Sequence, residues 1–137
     1  MLAIALFVPL VLIMCRGASS KAEPPVIPKE KTISYISITH SKTPEKTVLI
    51  KDKKDIAYLV STIRNGAKKT KKESVNDLPV NSAEYYTFGF HSGNDGNSSP
   101  GVIYFYTDNG KHYIEAPYSG IWKLSGKNYR NCISFYK

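Results

Sequence analysis

Residues 104–116, YFYTDNGKHYIEA, decide the fold. At their centre stands Asn109-Gly110, a pair that tolerates positive φ at both loop positions and so predicts a two-residue type I′ hairpin. Register follows from that bend: Asp108 opposes Lys111, Thr107 opposes His112, Tyr106 opposes Tyr113, Phe105 opposes Ile114 and Tyr104 opposes Glu115. Side chains alternate along a strand, so Ile103, Phe105 and Ile114 share one face with Thr107 and His112. Tyr104, Tyr106, Tyr113 and Glu115 share the other. The aliphatic face calls for a helix. The tyrosine and glutamate face is expected to lie either beneath a neighbouring loop or open as a platform. Tyrosine offers a large rigid area with a hydrogen-bonding tip, which makes these four residues candidate ligand contacts. His112 and Glu115, three apart on a strand, point to opposite faces and cannot act together.

The helix that the aliphatic face requires is legible upstream in DKKDIAYLVSTIRNG, residues 52–66. Asp52 can cap it, Asp55 places negative charge in its first turn, and Gly66 is expected to supply a left-handed stop. Ile56, Leu59, Val60 and Ile63 fall at the spacing of one buried stripe. Around this helix the pattern is of strands. TISYISITH (32–40) reads as a strand, SKTPEK interrupts it, and TVLI (47–50) reads as a short second one. AEYYTFGFH (83–91) alternates Tyr86, Phe88 and Phe90 against Tyr85, Thr87 and His91. SGNDGNSSPG (92–101) reads as a mobile loop, YSGIWKL re-enters a strand with Ile121 and Trp122, and NCISFYK (131–137) is expected to close the chain as a terminal strand. The fold class is therefore α+β: one amphipathic helix packed on a mainly antiparallel sheet of about five to seven strands.

The chain opens on LAIALFVPLVLIMC, residues 2–15, an apolar run shorter than a bilayer-spanning helix and suited to an export signal. Leu12, three residues before Cys15, gives the pattern of a lipoprotein box and makes Cys15 a candidate lipidation site. Residues 1–16 are thus read as the signal, 17–31 (GASSKAEPPVIPKEK) as a flexible tether, and 32–137 as one domain outside the cytoplasm, lipid-anchored or secreted. With Cys15 lipidated or removed, Cys132 is the only remaining cysteine, which excludes a disulfide-stapled domain.

Charge narrows the partners. Nineteen Lys and Arg against eleven Asp and Glu give a formal net charge of +8, which favours an anionic surface. Lys68, Lys69, Lys71 and Lys72 concentrate that charge just after the helix and are candidate contacts for anionic envelope polymer or lipid head groups. Only three arginines are present, which speaks against sequence-specific nucleic-acid readout. His40, His91 and His112 stand apart from one another and from cysteine at ligand spacing, so neither metal nor cofactor is expected. Cys132 reads as a small buried hydrophobe rather than a nucleophile, and a hydrolase or inhibitor reading has only it and His112 behind it. No enzyme is expected.

Three segments, KDKKDIAYLVSTI (51–63), SVNDLP (74–79) and GVIYFYTDNGKHYIEAPYSGIW (101–122), carry a family resemblance. With the lipoprotein-like signal, residues 32–137 resemble a domain-of-unknown-function family of small exported proteins from Gram-positive bacteria. The resemblance implies localisation and a fold, and assigns no catalytic residue. Two roles are consistent with these features. One is a non-catalytic interaction module that meets a protein partner through the tyrosine face; the other is a basic domain docking on anionic polymer or lipid through the lysines.

Overall fold

The computed structural model describes residues 23–93 and 100–137. A short 3-10 turn (Glu30–Thr32) leads into β1 (Ile33–His40) and β2 (Thr43–Ile50). Helix α1 (Lys53–Gly66), β3 (Lys68–Lys69), β4 (Tyr86–Ser92), β5 (Gly101–Asp108), β6 (Lys111–Ala116), β7 (Gly120–Leu124) and α2 (Gly126–Ile133) follow. The strands form one seven-stranded antiparallel sheet in the order β2-β1-β4-β5-β6-β7-β3. Export signal, Cys15 and most of the glycine-rich loop expected over residues 92–101 lie outside the described residues.

The β5–β6 hairpin has all five expected pairings, from Asp108 with Lys111 to Tyr104 with Glu115. Asn109 and Gly110 take φ of 49° and 74°, as a type I′ bend demands. Ile103, Phe105 and Ile114 lie in one apolar core with the stripe of α1, Ile56, Leu59, Val60 and Ile63, every one of them buried. Burying each of those side chains stabilises the fold by about 1.5–3 kcal/mol, which is what holds α1 against the sheet. Asp52 caps the helix by accepting from the backbone N–H groups of Lys54 and Asp55, at 2.8 and 3.2 Å.

Several elements differ from their sequence-based expectation. Gly66 is not the left-handed stop, because the chain leaves the helix through Ala67 at φ −78°, in extended geometry. A methyl on Gly66 would sit 2.6 Å from Asn128 Nδ2, the tip of a side chain on α2 that would have to move aside. The terminal strand expected around Cys132 is α2 instead. Ser125 caps it by accepting from the Asn128 N–H, and Tyr129 and Cys132, one turn apart, are both buried. Burial pushes the Cys132 thiol up to about 12, which leaves it protonated and unreactive at neutral pH. Strand β2 begins at Thr43 rather than residue 47. Its proline, Pro44, is tolerated because β2 is an edge strand.

The expected tether also changes character. Within its described part, Pro25 and Ile27 are buried. Arg64 Nη2 donates to the carbonyls of Ile27 and Pro28 at 3.2 and 2.9 Å, and Trp122 Nε1 donates to the Glu23 carbonyl at 2.7 Å. An apolar, proline-rich segment with little conformational freedom loses little entropy on docking. The packed domain thus begins by residue 23 rather than 32.

Candidate functional site

After β3 the chain does not return along the sheet edge. Residues 70–85 cross the face opposite the helices as a strap and re-enter the sheet at Tyr86. Thr70 starts it, donating through both its backbone N–H (2.9 Å) and its hydroxyl (2.7 Å) to the Ile121 carbonyl. Ser74 Oγ donates to Glu115 Oε1 at 2.8 Å and accepts from the Tyr118 N–H at 3.2 Å. Tyr118 Oη donates to Asp77 Oδ1 at 2.8 Å. At the far end, Ser41 and Tyr85 exchange hydrogen bonds of 2.9 and 3.0 Å.

Beneath the strap lie the four residues read as a binding platform. Tyr104, Tyr106, Tyr113 and Glu115 do share one face, and none is more than 8 % exposed. They are brought together, but not offered to a partner. Tyr106 and Tyr113 stack with centroids 5.6 Å apart, Tyr85 meets Tyr104 edge-on at 5.4 Å, and Lys72 Nζ sits 4.4 Å from the centre of the Tyr113 ring. Two buried oxygens here lack a hydrogen-bond partner: Glu115 Oε2 and Tyr106 Oη, with Asn81 beside the latter but outside bonding geometry. Burial, with the charge of Glu115 adding to it, holds the Tyr106 phenol well above its usual range. The tyrosine face is closed to solvent, and the surface presented there is the outside of the strap that covers it.

The lysines, by contrast, are all exposed. Lys68 stands directly opposite Lys123 across the β3–β7 pair, a like-charge pairing that a sheet disfavours in isolation. Lys69 pairs with Trp122 on the other side of the sheet, its Nζ 5.0 Å from that ring. Positive charge therefore wraps round the edge. Among the described residues the ion pairs converge on Glu84, which meets Lys42 and, at 3.9 Å, His40; none of these edge lysines is compensated in that way. Lys69, Lys71 and Lys72 also line an open hollow of about 420 Å³ with Thr70, Glu73, Ser74, Val75 and Tyr118, so one carboxylate stands among the three lysines.

The strap that continues from the lysines exposes residues that the sequence analysis passed over. Val75, Leu78 and Val80 on the strap are 63 %, 48 % and 68 % exposed, and Tyr118, tied to the strap through Asp77, is 67 % exposed. Their signal was present as apolar residues spaced through SVNDLPVNS, but a segment rich in turn formers has no periodicity to say which way they point. His112 and Glu115 lie on opposite faces, with Thr107 Oγ1 2.8 Å from His112 Nδ1 on the helix side and Ser74 on Glu115 under the strap. Among the described residues no three His, Cys, Asp or Glu are grouped to hold a metal ion. Nor is any described helix long and apolar enough to cross a membrane.

Residues 21–123 match the family DUF5301, described as a domain of unknown function (DUF5300). The chain belongs to this family. The DUF5301 match begins beside the packed segment at residue 23, and it spans α1, the strap and the hairpin. A solved structure, the NMR structure of the protein from Ruminococcus gnavus, is similar to the chain at 32 % identity, with a TM-score of 0.59 over 74 % of this chain and 91 % of that one. No curated protein matches.

Proposed function

We propose that this DUF5301 chain is an extracytoplasmic, non-catalytic docking domain that settles on anionic lipid head groups through the β3 edge and the strap. The apolar amino-terminal run and the lipoprotein-like Cys15 motif support a location outside the cytoplasm, at a membrane. One observation carries the reading: lysines 68, 69, 71 and 72 are exposed and without an ion pair among the described residues, three of them share a hollow with the exposed Val75 and Tyr118, and the strap that continues from them exposes Leu78 and Val80. Basic residues are attracted to phosphate head groups while aliphatic and tyrosine side chains suit the boundary just below them. A wholly polymeric polyanion would use the lysines and leave Val75, Leu78, Val80 and Tyr118 without a role.

The test is flotation of the domain with vesicles containing phosphatidylglycerol against vesicles of phosphatidylcholine alone. Binding is expected to the anionic vesicles only and to fall steeply with added salt. Each lysine near the surface contributes about 1 kcal/mol, so replacing all four with glutamine should weaken binding by about two to three orders of magnitude. Replacing Val75, Leu78 and Val80 with serine should weaken it further without disturbing the fold. Binding to soluble polyphosphate but not to vesicles would overturn the lipid reading.

A further inference from the structure

Away from the basic flank, a second hollow opens on the helix face where β1 ends and β4 begins. His40 pairs with Tyr86 and Tyr86 with Phe105, but β5 runs on to Thr107 after β4 has stopped. The resulting pocket, about 430 Å³, is lined by His40, Glu84, Tyr86, Thr107, Tyr129 and Ile133 among others. Its volume lies within the roughly 300–1,000 Å³ of small-molecule sites, and its walls mix aromatic rings with convergent polar groups.

Those walls are held in place. Tyr86 meets His40 edge-on with centroids 4.6 Å apart and Tyr136 at 5.6 Å, and Tyr136 is itself fixed by a 2.6 Å hydrogen bond between its hydroxyl and that of Thr43. Tyr129 stacks on His112 at 4.4 Å. The backbone N–H of Lys42 donates to His40 Nδ1 at 3.3 Å, which leaves Nε2 facing the Glu84 carboxylate at 3.9 Å. Burial keeps the phenols of Tyr86 and Tyr129 above their usual range, so both stay protonated.

Charge in the pocket is balanced. Glu84 is already ion-paired with Lys42, so a cation finds its carboxylate occupied and an anion finds it repulsive. We propose that this pocket binds a neutral, hydroxyl-rich ring, the chemistry of a sugar residue, with Glu84 accepting from its hydroxyls and Tyr86, Tyr129 and His40 supplying hydrogen-bonding tips. A sugar ring presents weakly polar C–H faces to aromatic walls and a rim of hydroxyls that both donate and accept. That combination matches this lining. The site draws on residues 40 to 133 of the sequence, and it stands independently of the lipid-docking flank.

Titration of the full chain, followed by amide chemical shifts, tests it with glucose, galactose and N-acetylglucosamine, and with inorganic phosphate and putrescine as charged probes. At least one sugar is expected to move the amides of His40, Glu84, Tyr86, Thr107 and Tyr129 at millimolar concentration, with no dependence on salt. Removing one hydrogen bond should weaken that binding about tenfold in Glu84→Ala and in Tyr129→Phe. Glu84 is half exposed, so the first variant leaves packing intact even where the second loses stability. The proposal is overturned by silence at these amides with all three sugars, by phosphate or putrescine moving them instead, or by unchanged affinity in the folded variants.

Discussion

The two faces of the β5–β6 hairpin are built from the same strands and covered in opposite ways. On one, Ile103, Phe105 and Ile114 meet a helix whose stripe is wholly apolar, and among the described residues no buried side-chain oxygen or nitrogen is stranded there. On the other, tyrosines and a glutamate meet an irregular strap, and two buried oxygens go without hydrogen bonds. The helix satisfies its own backbone and brings only side chains to the interface. The strap has no such ladder, and it is fastened by a few side-chain bonds centred on Ser74. The contrast is one of cohesion: dense apolar packing against a small polar fastening.

That contrast can be broken most forcefully from the helix side. Leu59, with no exposed surface, should cost about 2–5 kcal/mol when cut to alanine, read by urea denaturation; a loss below about 1 kcal/mol would remove the distinction between the faces. Next in size is Ser74→Ala, which leaves both oxygens of Glu115 unpartnered and should cost about 1–3 kcal/mol. Hydrogen exchange should then quicken over residues 70–85 while the amides of α1 stay protected. If α1 loosened equally, the strap would not be a separate unit.

A smaller effect samples both faces at once. Desolvation lowers the pKa of His91, which lies 2.8 Å from Ser37 Oγ, and of His112 on the helix face, where Arg130 adds to the lowering. A depressed histidine leaves the unfolded chain binding more protons, so the stability each contributes is present above its unfolded pKa and is lost as pH falls through the folded one. Melting temperature should therefore drop between about pH 7.5 and pH 5. Replacing both histidines with glutamine should flatten the dependence, and a slope that survives the double variant would assign it elsewhere. The smallest expected change is Tyr106→Phe, which removes an oxygen that has no hydrogen-bond partner and should leave stability within about 1 kcal/mol of the parent. A loss well above that would mean that the hydroxyl is bonded after all.

Which faces exist was legible in the sequence; what covers them was legible on one side alone. The Asn109-Gly110 bend set the register, and the spacing of Ile56, Leu59, Val60 and Ile63 named the partner of the aliphatic face, because both signals are periodic and local. Covering the tyrosines depends on a few long-range hydrogen bonds, that between residues 74 and 115 among them, and on where an aperiodic loop falls, and no local pattern encodes that. Helix α2 was hidden for a related reason. GKNYRNCI is poor in strong helix formers and rich in residues equally at home in a strand, so its form is set by the Ser125 cap and by the burial of Tyr129 and Cys132. The lysines at positions 68 to 72 were visible as a charge run, whereas Lys123 joined them only once β3 was seen to pair with β7. The second pocket's lining brings the strap end and start of β4 (Glu84, Tyr86) together with His40, Thr107 and Tyr129, which are too far apart in the chain to announce one another.

The margins of the sheet have a consequence for self-association. One outer strand contains Pro44, which cannot donate to an incoming ladder, and the other is two residues long with a lysine at each position. Pro44 interrupts the first rim near its start, and the second is too short to template a long pairing. Losing one of these guards would leave a rim better able to pair with another copy, which makes Pro44 and the Lys68–Lys69 pair gatekeepers against aggregation as well as parts of the fold.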